Sequence, residues 1–331
     1  MNQPVYLFSR PYAQMQLHTG YNIVERAISY NKIFKINHRK TLTSKIIFGF
    51  LDYIFKKLLN APFHYKSESF FYEIYAIIKR FFKKVKVIHI NSEDTAWLTL
   101  NFFSRDTFVV VHQPYEWHLK FNYSLFSKYK NIICLDNTFF DKLAGTDCNV
   151  ALIPHPIDSS FFFYKQRITI NNPLEVLIVG THRRDWELYK EAITLLSALY
   201  QVRVSIVANK ANLPYSFISF LDKYSSIFFS SISDYDLRSL YHKSDICLLF
   251  CHSATANNCL LEAASTGTKI LINDSDAMKF YLNGYSNYLL FDQEPYKIKN
   301  FLEKEIEFKA PKNLLGPEEV GKKINYFVNK V

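Results

Sequence analysis

The residues best suited to chemistry fall between Ala254 and Gly267. There Asn257 and Asn258 open an apolar stretch that carries Glu262 and stops at Gly267. Apolar runs flank this segment, Ile246 to Phe250 before it and Lys269 to Ile272 after it. The order is therefore strand, polar turn, short helix, glycine stop, strand. Asn257 and Asn258 sit where a helix leaves its first N–H groups unpaired and its dipole positive, an arrangement that suits a phosphate. Glu262 follows about one turn later. Together with Thr255 this makes an anion cradle beside one carboxylate, fit for a nucleotide: diphosphate on the N–H groups, ribose hydroxyls on the acid. The same pattern also fits a capped helix in any α/β domain.

A second constellation is Gly180-Thr181-His182-Arg183-Arg184, directly after the apolar run Leu174 to Val179. Glycine at a strand's carboxyl end lets a phosphate approach the backbone, and two arginines offer permanent charge and forked donors to diphosphate oxygens. A third is Glu93, Asp94 and His112, each just beyond an apolar run, where a base for an acceptor hydroxyl could sit. Tyr115 follows and could form an aromatic wall. His18 and Gly20 lie in the turn after the first run, Val5 to Ser9.

The elements that must position these groups alternate along the chain. Further strands are expected at 34–36, 85–90, 107–111, 131–135, 150–153, 202–207, 227–230 and 288–291. Helices are expected at 22–30, 186–199, 216–224, 235–242 (capped by Asp234), 296–308 and 318–329. Strands separated by helical stretches imply parallel sheets covered on both faces. Pro154-His155-Pro156-Ile157-Asp158 reads as an extended crossing, because two prolines exclude helix.

The Glu262 segment resembles the donor-site signature of GT-B glycosyltransferases, particularly the large retaining family that ends this motif in Leu-Glu-Ala and a glycine (glycosyl transferases group 1, family 4-like). The resemblance implies two Rossmann-like domains facing each other across a cleft. An acceptor-binding domain would span 1–157, a linker 158–173 and a nucleotide-sugar-binding domain 174–331. It implies that Glu262 binds ribose, that Arg183 or Arg184 steadies the departing diphosphate, and that His112 contacts the donor sugar. Gly180, His182, Thr255, Asn257 and Asn258 would complete the donor site, and His18, Gly20 and Tyr115 the acceptor side. Asp94 would be the base if the reaction inverts. The family's second glutamate, eight positions before Glu262, is here Ala254, and its helix-start glycine is Asn257. The expected activity is transfer of a sugar from a nucleotide-diphosphate sugar to a glycan or lipid-linked acceptor. The alternatives are a nucleotide-sugar epimerase of the same fold and a non-catalytic glycan- or membrane-binding module.

Composition narrows the rest. The 331 residues suffice for two domains and include 30 Phe and 23 Tyr. Of the +10 net charge, an excess of eight lies between Arg39 and Lys86, with eleven basic residues against Asp52, Glu68 and Glu73. One local basic face argues against a general nucleic-acid surface. The basic aromatic segment 41–84 reads as amphipathic helices. Either their apolar faces cover the N-terminal sheet, or they lie on an anionic membrane through Lys79, Arg80, Lys83 and Lys84. No long apolar run and no leader-like start is present, and five cysteines show no zinc spacing. The expected location is cytoplasmic, and peripheral on the inner face of the membrane if the second of these alternatives holds. Asp-x-Asp spacing occurs at Asp234-Tyr235-Asp236, where a helix is expected to begin, and at Asp274-Ser275-Asp276, which follows a strand of the second half; both read as local turn or cap residues, so neither metal nor other cofactor is expected.

Overall fold

The computed structural model describes residues 5–9, 18, 23, 32–35, 42–59, 61, 64–166, 169–305 and 307–331. They divide into two compact units, one of residues 1–156 with 317–331 and one of residues 157–316.

The first unit holds a six-stranded parallel sheet built from β1 (Val5–Ser9), β2 (Lys32–Lys35), β3 (Lys86–His89), β4 (Thr107–Val111), β5 (Asn131–Cys134) and β6 (Asn149–Leu152). Its order is β2-β1-β3-β4-β5-β6, parallel throughout. β4 and β5 are buried at every position, as continuous apolar strands with both faces covered must be. One face packs Val109, Val111, Ile132 and Cys134 against Trp97, Tyr65, Tyr129 and Phe139.

Helix α1 (Leu42–Leu58) and helix α2 (Glu68–Phe82) form the basic aromatic segment. They cover the sheet in part, Ala76, Tyr72 and Tyr75 packing with Tyr6, Phe8 and Val87, and Phe55 joining the core of Val109 and Ile132, yet each also turns large apolar side chains outward. On α1, Asp52 and Phe55 are buried, while Ile46, Phe50 and Tyr53, on the opposite side, face out. On α2, Glu73 is fully buried, while Phe71, Ile78 and Phe82 are exposed. Glu73 is occupied structurally. It accepts Trp97 N (3.1 Å), Thr99 N (2.9 Å) and Thr99 Oγ1 (2.9 Å) on one oxygen and Tyr65 Oη (2.7 Å) on the other. It thus caps the short helix Leu98–Phe103. Burial pushes its carboxyl up from the usual range.

The second unit has the order β12-β11-β10-β7-β8-β9. Its strands are β7 (Leu174–Val179), β8 (Val202–Val207), β9 (Ser225–Phe229), β10 (Ile246–Leu249), β11 (Lys269–Ile272) and β12 (Tyr288–Leu290). Side chains alternate between two cores. Leu174, Val176, Ile178, Ile246, Leu248 and Phe250 face one; Leu177, Val179, Cys247 and Leu249 face the other. Helices α3 (Trp186–Leu199), α4 (Asp234–Lys243) and α5 (Asn258–Thr266) cover the sheet. α4 is capped by Ser233, whose hydroxyl accepts Asp236 N (3.2 Å); Asp234 is its first residue.

Two expected boundaries move. Residues 158–173 are not a free linker, because Phe161 and Phe162 are buried in the second unit's core and Ser265 Oγ donates to the Phe162 carbonyl (2.5 Å). Helix α6 (Pro317–Lys330) belongs to the first unit rather than to a 174–331 domain. Its stripe Val320, Ile324, Phe327 and Val328 needs an apolar surface, and Phe327 meets Phe108 edge-on (5.6 Å). Lys86 Nζ donates to the Val328 carbonyl (2.5 Å). The helix expected at 22–30 lies outside the described residues except Ile23.

Replacing Glu73 with Ala should lower unfolding stability by about 2–4 kcal/mol, since four buried donors lose their acceptor. Glu73→Gln, which imitates the neutral acid, should cost much less. Urea denaturation of both variants checks the pair, and an equal loss would refute the capping role.

Candidate donor-nucleotide site and the strand ends of the first unit

In the second unit β7 lies between β8 and β10. The chain runs from β7 outward through β8 and β9, then returns to add β10, β11 and β12 on the other side. The carboxyl ends of β7 and β10 are therefore the point at which strand order reverses, where open α/β sheets bind ligands. Both loops that carry the candidate residues start there.

After β7, Gly180 takes φ +78° and Arg183 takes φ 55°. Both lie in the left-handed region, which costs nothing for the glycine and is uncommon for the arginine. The double turn sends Arg184 back under the sheet's edge, where it pairs with Cys251 as an isolated antiparallel bridge. Arg183 O accepts His252 N (3.0 Å), and Asp185 N donates to Phe250 O (3.1 Å). The two loops are thereby joined over residues 183–185 and 250–252. Asn273, at the end of β11, closes the third side: Cys251 N donates to its Oδ1 (2.9 Å), and its Nδ2 donates to Cys251 O (2.9 Å).

Arg184 is only 6% exposed. Its guanidinium donates to Cys251 Sγ (2.6 Å), Val179 O (2.7 Å) and, at 3.5 Å, Cys259 Sγ. Nε is buried with no protein partner. Among the described residues no carboxylate lies within ion-pair distance of it. Burial opposes its charge, but the Tyr189 hydroxyl and the Cys259 and Cys251 sulfurs around it hold its pKa above the ordinary arginine value. The Cys259 thiol, pushed up to about 12 by burial against the pull of Arg184, stays neutral at pH 7. The result is a buried cation surrounded by neutral acceptors. A Cβ on Gly180 would come within 3.2 Å of the Arg184 guanidinium, so glycine keeps this approach open.

α5 begins beside this arginine. Asn257 is its cap, accepting Cys259 N on Oδ1 (3.1 Å) and pointing Nδ2 at Cys251 Sγ (3.6 Å). Asn258 is its first residue, Thr255 is buried just before it, and Gly267 ends it at φ +80°. One turn in, Glu262 is 2% exposed and accepts the Tyr241 hydroxyl (2.9 Å) from α4. Burial raises its carboxyl to about 8, Tyr241 opposing and Asp234 adding to the rise. Arg183 reaches Ser253 Oγ (2.7 Å) at the rim, and His182 is exposed beside it, its pKa lowered by burial and by both arginines.

The structure thus gathers Gly180, Arg184, Asn257, Asn258 and Glu262 at one strand-end junction, with Arg183, His182 and Thr255 in the two adjoining loops. Cys251, Cys259, Asn273 and Tyr241 complete it and were not read from the sequence. Two cavities of this unit, about 280 and 600 Å³, lie elsewhere and are lined by none of Gly180, Arg183, Arg184, Asn257, Asn258 and Glu262. Asp274 and Asp276 share Lys279 on the surface.

In the first unit, Glu93 is buried as an anchor rather than offered as a base. One oxygen accepts His112 N (2.9 Å) and Gln113 N (3.1 Å) and lies 3.5 Å from His118 Nε2. Burial alone would raise this carboxyl, but the His118 and His112 imidazoles outweigh it and hold it at about 2. His112 Nε2 must carry a proton, since its partner is the Ile90 carbonyl (2.7 Å). Burial lowers its pKa despite Glu93 and Ile90, leaving a neutral ring. His155, from the Pro-His-Pro turn, stands edge-on to it at 6.3 Å, its own pKa lowered to about 4 by burial and by His112. Asp94 is half-buried one residue on. Tyr115, half-buried, packs edge-on against Phe126 (5.6 Å) and Phe139 (5.4 Å). His18 is half-buried, and Gly20 lies outside the described residues.

No protein-family model matches this sequence, and no curated protein matches it. Solved structures do. Sucrose-phosphate synthase from Thermosynechococcus elongatus superposes with a TM-score of 0.63 at 13% identity, over 99% of this chain and 94% of that one. The lipopolysaccharide outer core galactosyltransferase WaaB gives 0.62 at 11% identity, over 98% and 99%. WaaG, a glycosyltransferase involved in lipopolysaccharide biosynthesis, gives 0.57 at 11%, over 99% and 95%. The chain has the GT-B fold of these proteins.

Glu262 makes the ligand-free protein pH-sensitive in a defined direction. Its folded pKa of about 8 lies above the ordinary 4.5, so between those values the folded chain holds a proton the unfolded chain has lost. This contribution to stability is complete below pH 4.5 and is lost as pH rises toward 8. Glu262→Gln should therefore gain stability relative to wild type from pH 5 to pH 8 in urea titrations. A constant difference across that range would refute the assignment.

Proposed function

We propose that this protein is a glycosyltransferase that moves a sugar from a nucleotide-diphosphate sugar to a hydroxyl of a glycan or lipid-linked acceptor, in the synthesis of a bacterial surface polysaccharide. The observation that carries the reading is Arg184: a buried guanidinium with no carboxylate beside it among the described residues, at the point of strand reversal, beside the start of a helix. Such a site is incomplete until an anion arrives. In this reading the diphosphate lies against Arg184 and the first N–H groups of α5, with Gly180 giving it room. Glu262 takes the ribose hydroxyls, and Arg183 and His182 line the rim.

During transfer the bond between the sugar carbon and the diphosphate oxygen breaks, and its electron pair leaves with the diphosphate. Arg184 offsets the charge that develops there. The acceptor oxygen bonds to the sugar carbon and gives up its proton, to the departing diphosphate oxygen in a retaining course or to a carboxylate in an inverting one. Glu93, engaged by two backbone N–H groups, is poorly suited to take it, which favours a retaining course in which neutral His112 contacts the sugar. Asp94 is the base of the inverting alternative. Countercharge comes from the arginines, so the proposal calls for no metal or cofactor. The two lipopolysaccharide enzymes among the structural neighbours support the surface-polysaccharide setting. Ala254, where the resembling family has glutamate, favours one second reading, a glycan-binding module without catalysis.

Thermal unfolding against nucleoside diphosphates and nucleotide sugars tests the site, because a ligand of the folded state raises the melting temperature. One nucleotide should stabilise the protein. Arg184→Met should weaken that nucleotide by about 2–4 kcal/mol, roughly 30- to 1,000-fold. Glu262→Ala should cost about 1.5–3 kcal/mol. Glycan binding without any nucleotide response would favour the module, and conversion of the nucleotide sugar without acceptor would favour an epimerase.

A further inference from the structure

α1 and α2 are turned the wrong way for helices that only cover a sheet. Ile46 (63% exposed), Phe50 (63%) and Tyr53 fall at positions i, i+4 and i+7 of α1, with Ile47 and Leu58 beside them, all exposed. Phe71, Ile78 and Phe82 (80%) fall at i, i+7 and i+11 of α2, with Phe81 (82%) alongside. Every acid of these two helices is withdrawn. Asp52 accepts Ser67 N (2.8 Å), Glu68 is buried, and Glu73 caps the neighbouring short helix.

The cations sort by the same rule. Arg80 turns inward to Asp106 (2.5 Å) and is not part of the outer face. Lys45, Lys57, Lys79, Lys83 and Lys84 are exposed. Lys57 Nζ donates to Tyr53 Oη (2.9 Å), and Lys79 stands over Tyr75 at 5.4 Å, so charge and ring are interleaved. The ring contact between Phe55 and Phe70 (4.7 Å) and the Asp52–Ser67 bond tie the two helices together. The outward charge of both is thus wholly positive, and it surrounds large apolar side chains.

We propose that these faces of α1 and α2 dock the protein onto an anionic phospholipid surface, the apolar residues entering the boundary between headgroups and acyl chains and the lysines meeting the phosphates. Large exposed apolar patches mark interaction sites, and basic amphipathic helices with aromatic faces suit this boundary. The occupant is argued from charge. A second copy of the same face would set these lysines against one another, whereas an anionic lipid surface neutralises them. No described helix is long and apolar enough to cross a membrane, so the contact is one of lying on the surface. The inference rests on the surface alone and is independent of the nucleotide site.

Co-sedimentation of the full chain with vesicles tests it, comparing phosphatidylglycerol–phosphatidylcholine mixtures with pure phosphatidylcholine. The expected result is binding to the anionic vesicles only. Lys79→Gln/Lys83→Gln/Lys84→Gln should lower that affinity roughly 100-fold, because each near-surface cation adds about 1 kcal/mol. Ile46→Ser/Phe50→Ser and Phe81→Ser/Phe82→Ser should each lower it at least about tenfold. These side chains face water, so circular dichroism melting should stay at the wild-type temperature in all three variants. Three results overturn the proposal: no binding to anionic vesicles, binding unchanged in all three variants, or a wild-type dimer that the Phe81/Phe82 variant splits while neither binds vesicles.

Discussion

The second unit is organised around a buried charge. Among the described residues Arg184 has no acidic partner, an arrangement that is costly unless other groups solvate it. Here a backbone carbonyl and two thiols do so. Holding them in place requires the reversed turn at Gly180 and Arg183, the bridge to Cys251, and the double clamp of Asn273 on Cys251. Each of these joins a different strand end. The junction is therefore rigid where a ligand would need it rigid, and electrostatically positive where a diphosphate would need it positive.

Two buried glutamates in the first unit show how environment decides what a carboxylate does. Glu93 and Glu73 both accept two backbone N–H groups. Glu93 also faces two imidazoles and is held ionised, while Glu73 faces hydroxyls and is pushed toward the neutral form. Neither is free for proton transfer. Both organise loops, Glu93 fixing the backbone of His112 and Glu73 the start of the helix beside Trp97.

Much of the fold could be read from local pattern, since continuous apolar strands ending in polar turns announce a parallel sheet. Glu262, Asn257 and Gly267 were legible for the same reason: cap, turn spacing and glycine stop are neighbours in sequence. Cys251, Asn273 and Tyr241 were not, because their partners lie in other strands and helices and their residue types carry no signal of it. Helices such as Ser92–Thr95 and Leu98–Phe103 are too short to show a period. The periodicity of α1 and α2 revealed an apolar face but not the direction it turns, which depends on where Asp52 and Glu73 find donors. The segment 158–173 misled because its polar residues outnumber the two phenylalanines that anchor it.

The crossing of the chain between its two units has a consequence for how it is made. The first unit is interrupted after residue 156 and resumes only at residue 317. Its apolar residues around Phe108 must wait for α6, which leaves the ribosome after the entire second unit. During synthesis the second unit can finish its core as one continuous stretch, whereas the first remains open along one flank until the last helix emerges. The half that is translated first is the half that is completed last.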